Sequence, residues 1–313
     1  MRKYFFVYII ITLSLALGCG RSYEEQQRIS REERARLARE DSAALKIGVT
    51  PSLDCLPLYV AKEEMFFDTA KADIRLKYYS SQLDSEAALR KGRVEGTVTD
   101  LVRCAFMKGD GIPLRYVTST NLQWQLIGNR KSRIKTAKQM ADKMVAMTRH
   151  SALDMLLEII ADSAKLNKDF VLCIQVNDPN IRLQMLQNNE LDALFFAEPQ
   201  ATTARLFKNA VIAESSKMDF QMGVVAFRGN ILDGNRQKQI EVFIEGYNRA
   251  VEEINKNGVK HYAELIMKNM KADAKTIAAL PDIKYKKVEA PRQKDIERAE
   301  AYCQKKRSDD SRI

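Results

Sequence analysis

Two runs of alternating strand and helix patterning, laid end to end, constrain this chain more than any other feature. The first opens at Leu45-Lys46-Ile47-Gly48-Val49-Thr50, which alternates as a strand does. Pro51-Ser52-Leu53-Asp54 follows as a loop, then Leu56 to Met65 as a helix with Lys62 and Glu63 outward. Ile74 to Tyr79 is a second strand. Ser81 and Asp84 have the spacing of a capping box before a helix that ends at Gly92, and Val94 to Thr99 is a third strand running to Asp100. The second run repeats this order. Lys143 to Thr148 is a strand, and Ser151 with Asp154 is again a capping pattern. Leu153, Leu156, Leu157, Ile160 and Ala164 then share one helical face. Val171 to Val176 is a strand, Ile181 to Asn189 a helix, and Leu191 to Ala197 a strand ending at Glu198-Pro199. Thr50 to Asp100 spans 50 positions, and Thr148 to Glu198 also spans 50.

Alternation of this kind implies an α/β protein with parallel sheets covered by helices on both sides. Two such series imply two lobes of similar build. The last third is mostly helical. It offers an apolar strand at Met222 to Phe227 and a helix striped by Ile240, Phe243, Ile244, Tyr247, Val251 and Ile254. Further helix is expected at Tyr262 to Met270 and near Ile296 to Lys305. Lacking a full sheet of its own, this third is expected to pack back on the first lobe. The chain then crosses between lobes near Ser119–Trp124 and near Ala213–Phe220, with lobe I formed by 45–120 plus 216–313 and lobe II by 121–215.

The N-terminus has a different character. Arg2 and Lys3 precede an apolar run from Tyr4 to Gly18, shorter than the roughly 20 residues that span a bilayer. This is the pattern of a signal peptide over 1–18. Ala16-Leu17-Gly18-Cys19 resembles a bacterial lipobox with its Leu and Ala exchanged, which makes Cys19 the acylated mature N-terminus. Several acyl chains hold a protein on a membrane stably where one does not. Arg and acidic residues dominate 20–44, too polar to enter a core, so 19–44 is expected to be a lipid-anchored charged tether. The protein is thus expected to be exported and membrane-anchored, on the periplasmic or cell-surface side.

The formal charge is +10, but bases and acids interleave, as in Arg31-Glu32-Glu33-Arg34, and no basic-aromatic stretch suited to stacking bases occurs. Nucleic acid is not an expected partner, and a monomer is expected. Two His and the absence of any C-x-x-C spacing leave no basis for a metal site, and no cofactor is expected. Cys55 and Cys104 both follow strand ends and could pair; Cys55, Cys104, Cys173 and Cys303 as buried free thiols is the default.

In open α/β sheets ligands bind outside the carboxyl ends of the strands. Those ends here are Pro51-Ser52-Leu53-Asp54, Thr99-Asp100, Thr118-Ser119, Arg149-His150-Ser151 and Ala197-Glu198. Ser151 stands at a helix N-terminus, which favours an anion or polar acceptor. Two crossovers form a hinge, so closure on a ligand is natural.

Thr148-Arg149-His150-Ser151-Ala152-Leu153-Asp154, the Leu-x-x-Asn-x-Leu-Asp-Ala run at 186–193 and Glu198-Pro199 resemble the periplasmic substrate-binding proteins of ABC importers. The similar branch contains nitrate, alkanesulfonate, taurine and thiamine-precursor binders, and the resemblance covers residues 45 to 305. It implies a two-lobe, type II binding fold, a small-molecule ligand between the lobes and delivery to an ABC permease. It maps ligand contacts onto Ser52 and Leu53, Asp100, His150 and Ser151, Glu198, and Phe220 on the returning crossover. The chain departs from the family pattern at Glu64-Met65-Phe66 and at Asn189, where Gly is usual.

The chemistry of the ligand stays open. Asp54, Asp100 and Glu198 suit a cationic or amine-bearing ligand, or else they cap loops and pair with Arg149 or Arg103. If two of them face the cleft unpaired, an inorganic anion such as nitrate is disfavoured. Arg149 beside Ser151 points instead to a sulfonate or carboxylate. Trp124, Phe195 and Tyr59 are expected in packing. No nucleophile–base pair is evident, so no catalysis is expected. The alternatives are an enzyme on the same fold, of the thiamine-pyrimidine or menaquinone type, or a ligand-sensing lipoprotein.

Overall fold

The computed structural model describes residues 23–229 and 236–310 and divides the chain into two units, 1–44 and 45–313. The expected signal peptide, lipobox and Cys19 lie outside the described residues. In the first unit, helix α1 (Tyr23–Ala43) is predominantly polar, with Ile29 and Leu37 its only large aliphatic residues. It is supported along its length by Arg28–Glu32 and Arg36–Glu40 pairs at i,i+4, each 3.7 Å apart, as a helix without an apolar face requires. Among the described residues no helix is long and apolar enough to cross a membrane.

The second unit contains ten strands: β1 (Leu45–Val49), β2 (Ile74–Tyr78), β3 (Gly96–Asp100), β4 (Leu114–Ser119), β5 (Gln125–Gly128), β6 (Met144–Met147), β7 (Leu172–Gln175), β8 (Ala193–Phe196), β9 (Ala210–Glu214) and β10 (Gly223–Arg228). Its helices are α2 (Leu56–Glu63), α3 (Gln82–Arg90), α4 (Leu101–Gly109), α5 (Ala152–Ser163), α6 (Pro179–Gln187), α7 (Gln200–Leu206), α8 (Gln237–Asn257), α9 (Ala263–Met270), α10 (Ala274–Ala278) and α11 (Gln293–Asp310).

The strands form two five-stranded sheets, ordered β2-β1-β3-β10-β4 and β7-β6-β8-β5-β9. Both sheets are mixed, which corrects the expectation of wholly parallel ones. β10 runs antiparallel to β3 and β4, and β5 antiparallel to β8 and β9. The reason lies in the crossovers. Gln125, where β5 begins, pairs with Phe196 at the end of β8; Gly223, where β10 begins, pairs with Asp100 at the end of β3. Each crossover therefore delivers the chain to the carboxyl edge of the sheet it enters. A strand starting there must run backwards, and the carboxyl ends of both sheets adjoin the connecting segments.

Local signals place the elements well and their ends less well. Ser81 caps α3, its Oγ accepting from the Asp84 N–H at 3.2 Å. Ser151 caps α5, accepting from Leu153 N–H at 3.2 Å, while the Asp154 carboxylate takes the His150 N–H instead of closing a full capping box. The third strand begins at Gly96 rather than Val94, and the helix expected from Ile181 begins at Pro179. One apolar cluster packs β1 and β10 against α2, α8 and α9. A second runs continuously from Val224 and Leu101 through Trp124 and Phe220 to Met147 and Phe195, so packing as well as chain joins the halves. All four described cysteines are free, so Cys55 and Cys104 do not pair.

Candidate ligand-binding cleft

Loops from both sheets and one crossover enclose a cavity of about 50 Å³. Thr50, Ser52, Ser81 and Arg103 come from the first half, Thr148, Ser151, Arg182 and Gln200 from the second, and Leu122 with Trp124 from the crossover between. Four helices begin on this wall, at Ser81-Gln82, Ser151, Pro179 and Gln200. Their N-termini bring partial positive charge to one place.

The two charged side chains on the wall are both guanidinium groups. Arg103, on α4, is 3% exposed; its Nη1 donates to Glu86 Oε2 at 2.9 Å and its Nε lies 3.5 Å from Asp100 Oδ2. Arg182, on α6, is 6% exposed and is held by oxygens of neutral groups. Nε donates to the Val176 carbonyl at 2.8 Å, Nη1 to that of Phe195 at 2.7 Å, and Nη2 to that of Asn177 at 3.2 Å. No carboxylate among the described residues is hydrogen-bonded to it. Burial, and then the charge of Arg103, lower its pKa to about 10, with Asp178 acting the other way. It stays charged at neutral pH. A buried cation without an anionic partner is costly, and a bound anion relieves that cost.

The acidic residues of the region are each engaged. Asp54 accepts from the Ser52 hydroxyl and from Thr120 Oγ1 at 3.3 Å, and burial raises its pKa to about 6. Asp100 Oδ1 accepts from Arg103 N–H and Ala152 N–H, both at 3.0 Å; burial raises it to about 6, with the Arg103 charge opposing. Glu198 accepts from Arg205 and from the Thr202 N–H, both at 2.9 Å. The condition under which an anion would be disfavoured, two unpaired carboxylates in the cleft, is therefore not met.

Of the residues singled out in the sequence, Ser52 and Ser151 stand on the cavity wall. Leu53, Asp54 and Glu198 line an adjoining chamber of about 280 Å³, which shares Leu122 and Ala197 with the first and is bounded by Tyr285. Thr99 and Asp100 are buried behind the wall. Arg149 and His150 are exposed and off it: His150 adopts φ +53°, which turns its ring out onto Phe106 at 4.6 Å. Phe220 is buried edge-on to Trp124 at 6.0 Å rather than facing the cavity, and Trp124 both packs there and lines the wall. Sequence reasoning named Arg103 only as a partner for the acidic residues, which it is for Asp100, and did not single out Arg182 or Gln200. A signal for the two arginines existed. Each falls within the first four residues of its helix, where the dipole disfavours a cation, so each needs a compensating role.

The two halves touch across the cleft through both main-chain and side-chain groups. Leu53 N–H donates to the Glu198 carbonyl at 2.9 Å, and Gln200 Nε2 to that of Pro51 at 2.9 Å.

Two α/β lobes joined by two crossovers, with a polar cavity where their strand ends meet, define the fold of the periplasmic binding proteins. The chain is similar to the aliphatic sulphonate binding protein SsuA of Escherichia coli, at 18% identity and a TM-score of 0.68, over 85% of this chain and 88% of that one. It is similar to the nitrate-binding protein NrtA of Synechocystis, at 16% identity and TM-score 0.64, over 75% and 68%. The desulfurization enzyme DSZB has the same fold at 11% identity and TM-score 0.60, over 84% and 90%. None of the curated proteins compared matches the chain. Residues 52–258 match the NMT1/THI5-like family, and the chain belongs to it.

Proposed function

We propose that the protein is an extracytoplasmic solute-binding lipoprotein that closes its two lobes on a small anion and delivers it to an ABC permease, without catalysis. The observation that carries the anion is Arg182: a guanidinium on the cavity wall, buried, charged and with no carboxylate hydrogen-bonded to it among the described residues. The helix N-termini on the wall add to the same field, whereas the charge of Arg103 is already met by Glu86 and Asp100. The similar proteins SsuA and NrtA are described as binders of anions, a sulphonate and nitrate. Transport rather than turnover is supported by the state of the nucleophiles. The Ser52 and Ser151 hydroxyls donate to Asp54 and to the Thr148 carbonyl, neither to a histidine, and burial pushes the Cys55 and Cys104 thiols up.

In this reading residues 45–120 and 216–313 form lobe I, residues 121–215 lobe II, and 19–44 a tether from acylated Cys19. Ser52, Ser81, Arg103, Ser151 and Arg182 hold the ligand. Binding that bridges the lobes stabilises the folded state by about 2.7 kcal/mol at a hundredfold excess over Kd. A thermal-shift series with sulfonates, nitrate, carboxylates and amines tests this. Anions are expected to raise Tm. A response confined to cationic amines would reject the reading.

A further inference from the structure

The carboxyl edge of the second sheet meets the cleft. At its other edge the starts of β7, β6, β8 and β9 and the end of β5 lie side by side, a front about 20 Å wide for five strands. Residues 129–143 connect β5 to β6 at this edge. They carry Arg130, Lys131, Arg133, Lys135, Lys138 and Lys143 against a single acid, Asp142. The first five of these cations are exposed. None of the six has an ion pair among the described residues. Elsewhere cations are commonly paired, as Arg90 is with Glu86 and Asp110, and Arg292 with Asp219 and Asp295. Asp192, on the same edge, is engaged by the Ser132 hydroxyl at 2.6 Å and the Met144 N–H at 2.9 Å.

Apolar side chains stand at both ends of the basic segment. The Arg130 N–H donates to Asn209 Oδ1 at 2.9 Å, which sets the Leu206-Phe207 turn beside its beginning. The Asp142 N–H donates to the Phe170 carbonyl at 2.7 Å, and the Leu172 N–H to the Lys143 carbonyl at 2.9 Å, which sets Phe170 and Leu172 beside its end. Phe170 is 57% exposed, Phe207 53%, Leu172 51% and Leu206 47%. Phe170 and Phe207 are the exposed phenylalanines among the described residues.

Crowded like charges repel one another, and exposed phenyl rings are unfavourable in water. A bilayer bearing anionic headgroups answers both, since its phosphates meet the cations while the rings enter the apolar boundary beneath. A nucleic acid meets the charge and stacks on rings, but it has no use for the leucines at either end. We propose that this edge of the second sheet is a membrane-contact surface that adsorbs to anionic phospholipid. It lies at the opposite edge of the sheet from the cleft. It therefore leaves the cleft unobstructed and depends neither on the anion ligand nor on acylation of Cys19.

Phe170→Trp puts a reporter on this surface. The chain's own single tryptophan, Trp124, is 5% exposed and serves as the internal standard. The full chain is mixed with vesicles of phosphatidylcholine, alone or with phosphatidylglycerol, and quenching by brominated acyl chains is read. Only a tryptophan at the bilayer is quenched, so attachment of the chain through another segment gives no signal. Quenching of the new tryptophan is expected on anionic vesicles and not on neutral ones, with its loss at high salt. Adding Arg130→Glu, Lys131→Glu and Arg133→Glu is expected to cut the quenching at a given lipid concentration by roughly tenfold or more. All three positions are exposed, and circular dichroism checks that the variants fold. Equal quenching on neutral and anionic vesicles, or none on either, would overturn the proposal. So would a shift of the new emission by single-stranded DNA without quenching by vesicles, which would assign the surface to nucleic acid.

Discussion

Asp100 and Ala152 meet across the cleft. The Asp100 Oδ1, at the end of β3 in the first sheet, accepts the backbone N–H that begins α5 in the second half, at 3.0 Å. The same oxygen accepts the Arg103 N–H at 3.0 Å within its own lobe. One buried carboxylate therefore accepts the N–H that begins a helix in each half.

Replacing that carboxylate should loosen both caps and leave Arg103 with Glu86 alone as its counter-charge. Asp100→Ala is expected to cost about 3 kcal/mol and lower Tm by roughly 6–12 °C, with Asp100→Asn, which keeps an acceptor, costing less. Thermal unfolding followed by circular dichroism measures it. An unchanged Tm in the Ala variant would mean that the bridge to Ala152 is not formed in solution.

In the proposed function Arg182 carries the anion site, so its replacement should act on affinity. A lysine ammonium cannot span the carbonyls of Val176, Phe195 and Asn177 and still present charge to the cavity. Arg182→Lys is expected to raise Kd for any anion that binds by about tenfold or more, near 1.4 kcal/mol. Calorimetric titration against the unaltered protein reads this directly. Equal Kd values would remove Arg182 from the site.

Burial raises Asp54 and Asp100 from an ordinary carboxylate value of 3.8 to about 6. Between pH 4 and 6 the folded protein then holds protons that the unfolded chain has released, and stability falls as pH rises through that window. Above pH 6 both states are ionised at these groups and the slope vanishes. Tm is therefore expected to hold or rise as pH drops from 7 to 5, and Asp54→Asn to remove part of the rise. A steep fall in Tm over that range would contradict the assignment.

Burial also pushes up the thiols of Cys55, Cys104 and Cys173. Cys173 is only half-buried, whereas the other three free cysteines are buried. A maleimide applied to the folded protein is expected to modify Cys173 and spare Cys55, Cys104 and Cys303, all four reacting after denaturation. Peptide mass mapping distinguishes them, and fast labelling of Cys104 in the native state would contradict its placement in the core.

Strand alternation, helical stripes and caps at Ser81 and Ser151 depend on neighbours a few positions away, so the order of the elements and the two-lobe repeat were legible in the chain itself. So was the strand-end location of the cleft, which follows from how α/β sheets are covered. The reversed sense of β5 and β10 was not legible, because it is set by where each crossover enters a distant sheet. Nor was the wall of the cavity. Arg149 and Arg182 look alike in one dimension, yet His150 turns away at positive φ and Arg149 is left in solvent, while α6 carries Arg182 beneath the ends of β6 and β8. Which cation is buried, and whether Asp100 faces a ligand or bridges two helices, depends on contacts between residues far apart in sequence, and only the tertiary structure brings these together.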